Sequence, residues 1–232
     1  MLRRAVGYLS RLLAGRLAFP DPPEKNDSWP TGVNLFVGAT LALLDRDNPA
    51  LDGTWRLWAE IARRTFASGR YDAAAELRAH RELTGRSGAR HWLRLNNRYA
   101  VALLGARARE LPRRLERAYA LWLLELPAGL GYLGVPLCRP PPRLSAFGYD
   151  AWFTSHELLS ALPSWRTLAR SVISWLYNGR TETGFWDFGP RWAGSACLPL
   201  SDSWRRQRAR VHDWTTRVLC LLAPFAESGI ES

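Results

Sequence analysis

His156 stands in AWFTSHELLSAL four residues after Trp152 and three before Leu159, which on a helix places it on an apolar face. An imidazole titrates near neutrality and burial shifts it easily, so His156 is a candidate general acid or base. A hydrogen-bonded core histidine is the plainer alternative. Asp213 follows His212, but neighbours on a helix do not face each other. Asp213 is therefore expected near a helix start, as a cap or as the second acid/base group where helix N-termini form an anion site.

The stretch SWRRQRARVHDWTTR holds Arg205, Arg206, Arg208, Arg210 and Arg217 beside Trp204 and Trp214. Guanidinium groups bind phosphate or carboxylate bidentately, so Arg205 and Arg217 are candidates for holding an anionic head group. The alternative is a solvated loop and helix face. In ETGFWDFGPRW, residues 182–192, four rings share one loop with Glu182 and Asp187. Gly184 and Gly189 read as turn positions, and the rings read first as plugs between helices. Trp186 and Asp187 keep a second role as ligand contacts, with Trp152 and Trp214 lining the same pocket. Glu182, Asp187, Asp202 and Asp213 could supply a glycosidase pair, which needs carboxyls about 5 to 10 Å apart. No metal-ligand, nucleotide-binding or nucleophile motif of high specificity occurs, so no metal or cofactor is indicated.

These groups must be positioned by helices, because no window alternates with period two over a strand's length. Apolar stripes recur at Val33, Phe36, Val37, Thr40 and Leu44, and again at Trp58, Ile61 and Thr65. A polar helix follows near residues 72–83. Trp92, Leu95, Tyr99, Ala102 and Leu103 make one face, and Leu111, Leu115, Ala118, Trp122 and Leu126 make the next. The short link between them predicts an αα-hairpin. Asp150 is expected to cap a helix carrying Trp152, His156 and Leu159. Ser164 is expected to cap one carrying Leu168, Val172, Trp175 and Leu176. The last helix buries Val211, Trp214, Val218, Leu222 and Phe225.

The class is all-α with about eight helices. The expected organisation is an amphipathic N-terminal helix at 1–19, a Pro-rich linker at 20–32 and a single helical domain at 33–232. Leu2, Val6, Leu9, Leu13 and Leu17 form the stripe of the first helix, while Arg11 and Arg16 interrupt any signal-peptide core. That helix either docks on the domain or lies on an anionic membrane surface. Residues 118–137 are apolar enough to test as a span. Glu125, Pro127 and the glycines at 129, 131 and 134 instead predict a helix followed by a buried turn.

The composition, 47% hydrophobic with 12 Trp, is that of a globular chain able to bury a large core. The net charge of +11 comes almost wholly from arginine, Lys25 being the one lysine. The arginines are spread along the chain, so nucleic acid is not the expected partner. Cys138, Cys197 and Cys220 are odd in number and lack CxxC spacing, which predicts a reducing, cytoplasmic setting without disulfides.

TGFWDFG follows a Trp-bearing helix, SVISWLYNGR, and precedes another helix pair. This arrangement resembles the repeats of the α/α-toroid family of terpenoid cyclases and protein prenyltransferases, where a glycine and an aromatic residue, as in DGGW, close the loop between helices. The likeness runs over residues 96–222. The order of GYLG, SHELL, SWLYNGRTETGFWDFG, LSDSWR and DWTTRVL is similar to that of bacterial proteins with predicted toroid folds and no established activity. It implies paired antiparallel helices in an α/α-toroid-like or partial toroid arrangement. It also implies binding, and conversion, of an apolar isoprenoid-like ligand with an anionic head in an aromatic-lined cavity. The alternatives are a scaffold that binds a protein, nucleic acid or anionic membrane through its Arg-rich surface, and a carbohydrate-processing α/α barrel. Departures from the family are plain. The nearest string to DxDD is DRDN at 45–48, before Pro49 and suited to a turn. DDxxD and Asp-x-Cys are absent, and 232 residues make at most a small or incomplete ring.

Overall fold

Helix-forming stretches separated by capping residues set the architecture of the computed structural model, which describes residues 2–19, 29–85, 93–138, 146–189 and 206–226. Among these residues there are ten α-helices and no strand. They are α1 (Leu2–Leu13), α2 (Trp29–Leu44), α3 (Asp52–Thr65), α4 (Ala73–Thr84), α5 (Arg98–Ala106), α6 (Arg113–Glu125), α7 (Ala146–Leu159), α8 (Trp165–Leu168), α9 (Arg170–Asn178) and α10 (Gln207–Ala226). Asp72 caps α4 by accepting from the Ala74 and Ala75 amides, at 2.8 and 3.0 Å. Asn97 caps α5 by accepting from Tyr99 at 2.9 Å. Each satisfies amides that the first turn would otherwise leave unpaired. Asn48 opens the 3-10 turn Pro49–Leu51 in the same way and donates to Asp45 at 3.0 Å, so DRDN is a turn here.

Buried residues from α2 through α10 join one apolar cluster, with Trp58, Trp152, Trp165 and Trp214 fully inside. Packing runs from α1 to α2 and from α3 to α4 between sequence neighbours. It then runs from α2 to α5, α5 to α7, α6 to α8 and α7 to α10 between helices distant in sequence. On α1, Val6, Leu9 and Leu13 pack against the core, while Leu2 and Tyr8 stay exposed. The chain after α6 turns sharply. Gly129 has φ of 63°, and a Cβ there would lie 1.9 Å from the Val135 carbonyl oxygen, so only glycine fits. Leu130, Leu133, Val135 and Leu137 bury the turn. Among the described residues no helix is long and apolar enough to cross a membrane. Cys138 and Cys220 are free thiols at the surface; Cys197 lies outside the described residues.

Several expected details change. In α2, Thr40 and Leu44 face outward, and Leu35, Ala39, Leu41 and Ala42 are buried. The helix is apolar around most of its circumference, so no single stripe could be read from it. Helix α2 also begins inside the expected 20–32 linker. The expected hairpin of α5 and α6 does not form: α5 lies against α2 and α7, and α6 lies against α8 and α3. Leu95 precedes α5, and Trp92 lies outside the described residues. The predicted helix after Pro163 is split at Ala169 into α8 and α9. Asp150 and Asp213 are not caps, since α7 begins at Ala146 and α10 at Gln207.

Candidate functional site

The sequence-predicted residues His156, Trp152, Trp186, Asp187, Asp213, Trp214 and Arg217 lie on α7, α10 and the loop after α9; Arg205 lies outside the described residues. The rings pack on one another. Trp152 meets His156 at 4.2 Å, Phe153 at 5.1 Å and Trp175 at 5.5 Å between centroids. Trp214 meets Phe153 at 5.0 Å and Phe188 at 5.4 Å. Such offset and edge contacts add to the burial of each ring. Trp214 Nε1 donates to the Gly189 carbonyl at 2.9 Å. Trp186 locks the loop onto two helices: its Nε1 donates to the Leu176 carbonyl at 2.7 Å and its amide donates to Thr215 Oγ1 at 3.1 Å. Of the other rings in the loop, Phe188 is partly buried against the core, Phe185 is exposed, and Trp192 lies outside the described residues.

His156 is fully buried. Its Nδ1 accepts from Trp165 Nε1 at 3.2 Å, which places the ring proton on Nε2, and Nε2 has no hydrogen-bond partner. Burial pushes its pKa down to about 3; the Leu137 backbone opposes this, approaching the ring outside hydrogen-bond geometry. The imidazole is thus neutral and sealed from solvent. Asp213 is also buried, in the second turn of α10.

Arg217 is turned inward. Its Nε and Nη2 donate to the two Glu157 oxygens at 2.6 and 2.9 Å, and Nη1 donates to Asp150 Oδ1 at 2.8 Å. Nη2 also donates to Thr154 Oγ1 at 3.2 Å. The guanidinium carbon sits 5.3 Å from the Phe153 ring centroid and 5.2 Å from that of Trp214, a cation–π arrangement. The partners Asp150, Thr154 and Glu157 occupy one face of α7 at helical spacing. Acids on an otherwise apolar helix were the sequence signal for a buried cation. Asp187 does similar work at the loop. It accepts from Arg210 Nε and Nη2 at 2.8 and 2.7 Å and from the Gly189 amide at 2.9 Å. The bond from Arg210 holds its carboxyl below the usual carboxylate range. Among the described residues no three His, Cys, Asp or Glu side chains converge as a metal site needs.

An open site lies elsewhere. A cleft of about 670 Å³ runs between the end of α2, the end of α5 and the end of α7. It shares Ala108, Arg109 and Pro163 with a second cleft of about 330 Å³ at the start of α6. Small residues, Ala42, Ala102, Gly105, Ala106 and Ala161, make its floor. The helices approach closely there, since a Cβ on Gly105 would lie 3.1 Å from that of Ala161. Arg109 and Arg166 stand along the larger cleft, and Arg113 and Arg117 stand one turn apart on α6 along the smaller one. All four are exposed and, among the described residues, make no ion pair or side-chain hydrogen bond. By contrast, Arg107 is held by Asp52 and the carbonyls of Arg46 and Asn48, and Glu116 accepts from the Ser164 amide and hydroxyl. Among the described residues none that lines either cleft is aromatic. Sequence reasoning placed the functional arginines at 205–217 and missed this group, because α5, α6 and α8 bring it together only in the fold. The i, i+4 spacing of Arg113 and Arg117 was the available signal. Comparison with protein-family models, with curated proteins and with solved structures finds no match.

Proposed function

We propose that the chain is a binding module whose arginine-lined double cleft receives an anionic partner. The observation that carries this reading is the alignment of Arg109, Arg113, Arg117 and Arg166, exposed and unpaired, along two adjoining clefts. Four guanidinium groups that share two adjoining clefts repel one another, the nearby Glu116 being already engaged by Ser164, and an anion that bridges them relieves that repulsion. Each presents donors matched to carboxylate or phosphate. The buried rings of α7, α9 and α10 do not line these clefts. An isoprenoid ligand among them would have to displace contacts the core already makes. The binding role does not depend on a toroid-like ring. Of the packed pairs, α1 with α2 and α3 with α4 are neighbours in sequence, as such a ring needs, whereas α2–α5, α5–α7 and α7–α10 are not.

The test is anisotropy of a short fluorescein-labelled poly-L-glutamate over a salt series. Arg109→Glu with Arg117→Glu should weaken binding about tenfold or more and flatten its salt dependence. Arg170→Glu with Arg180→Glu, an equal charge change at exposed positions off the cleft, should have little effect. Equal losses from the two pairs would mean attraction to net charge alone and would refute a cleft site.

A further inference from the structure

Within that reading, we infer that the occupant is an acidic amphipathic helix from a partner protein. The walls discriminate among anions. Stacking on aromatic faces is the main sequence-tolerant grip on single-stranded nucleic acid, and the described residues of neither cleft offer such a face. The lining also alternates in sign. Asp47 follows Arg46 and Glu110 follows Arg109, with both acids exposed in the larger cleft. An unbroken phosphate backbone would meet those carboxylates at close quarters. A polypeptide can instead set acids against Arg109, Arg113, Arg117 and Arg166 and keep other residues away from Asp47 and Glu110.

The floor points the same way. Alanines and Gly105 leave little side chain between a ligand and the α2, α5 and α7 backbones, so a second helix can lie close. Leu43 is 66% exposed at the edge of this floor, an apolar contact without a partner, and Leu158 lies near it. Arg113 and Arg117 are four residues apart on α6, and acids at i and i+4 of an incoming helix have the same spacing. A helix with acids on one face and small or apolar residues on the other meets both halves of the site, in the helix-in-groove mode.

The test uses the full chain and a labelled peptide of about 18 residues, some 27 Å as a helix, with Glu at i, i+4 repeats and Ala and Leu on the opposite face. A scrambled peptide of identical composition, an oligothymidylate and phosphatidylserine vesicles serve as competitors. The amphipathic peptide should bind about tenfold tighter than the scramble. Arg113→Glu with Arg117→Glu should remove most of that binding, and Leu43→Glu should weaken the amphipathic peptide more than the scramble. A peptide with Lys in place of Glu should recover binding to the Arg113→Glu, Arg117→Glu variant, which shows that the variant is folded. Equal binding of peptide and scramble, or tighter binding of oligothymidylate or vesicles, would overturn the helix proposal while leaving an anion cleft. If no probe, poly-L-glutamate included, responds to the arginine changes, the cleft reading itself fails.

Discussion

Arg217 serves two carboxylates at once, and Asp150, one of them, is fully buried. Removing one partner of a buried pair leaves a charge in a low-dielectric interior, at a cost of about 3–5 kcal/mol. Arg217→Ala is therefore expected to lower the unfolding free energy by about that much, read from urea midpoints. Adding Asp150→Asn should restore part of it, because the stranded charge disappears with its partner. A neutral Arg217→Ala would show that the network is solvated and does not tie α7 to α10. The inward turn of Arg217 also explains why residue type alone misled: an arginine three residues after a tryptophan reads as an anion clamp until the acids on the facing helix are placed.

Gly105 plays the corresponding part between helices. Its missing Cβ lets α5 pack closely on the end of α7 and the turn at Ala161, and it sits on the cleft floor. Gly105→Val would push branched methyls into Ala161 and should cost about 1–3 kcal/mol. Gly105→Ala should be nearly neutral, as a helix-propensity gain of about 1 kcal/mol offsets the squeeze. Ala161→Gly in the Val background should restore stability if that contact is the cause; thermal unfolding of the four proteins decides it. Elements with strong local signals were readable from sequence. Asp72 marked the start of α4, the spacing of Trp214, Val218, Leu222 and Phe225 gave the face of α10, and the glycines after Glu125 gave the turn. Elements whose faces are set by distant neighbours were not readable. Helix α6 buries Leu115, Tyr119 and Leu123 most deeply, and the expected Ala118 and Trp122 lie at the margin of that face, partly buried against the core, because α8 and α3 cover it. The same dependence on distant packing hid the cleft.

At the scale of the whole molecule, two buried histidines in separate regions couple folding to pH. His80 on α4 is fully buried beside Glu76, with its ring edge toward Trp58 and neither nitrogen hydrogen-bonded. Burial lowers its pKa, Glu76 pulling the other way and Arg94 adding to the fall. His156 is held lower, at about 3. Above their ordinary value near 6.5 both rings are neutral whether the chain is folded or not, and they add no pH dependence. As pH falls below it, the unfolded chain takes up protons that the folded chain refuses. Stability should then drop by about 1.4 kcal/mol per pH unit for each histidine until its folded pKa is reached. Unfolding midpoints measured between pH 7 and 5 should show this slope. His156→Gln should reduce it, and His80→Gln with His156→Gln should remove most of it, whatever the variants do to stability at pH 7. Mutual repulsion in a chain of charge +11 also grows in acid, but it acts between exposed groups and is screened by salt. The histidine slope belongs to buried rings and should persist at high salt. A slope that vanishes there, or that survives both substitutions, would assign the acid sensitivity to surface charge and not to the two interior rings.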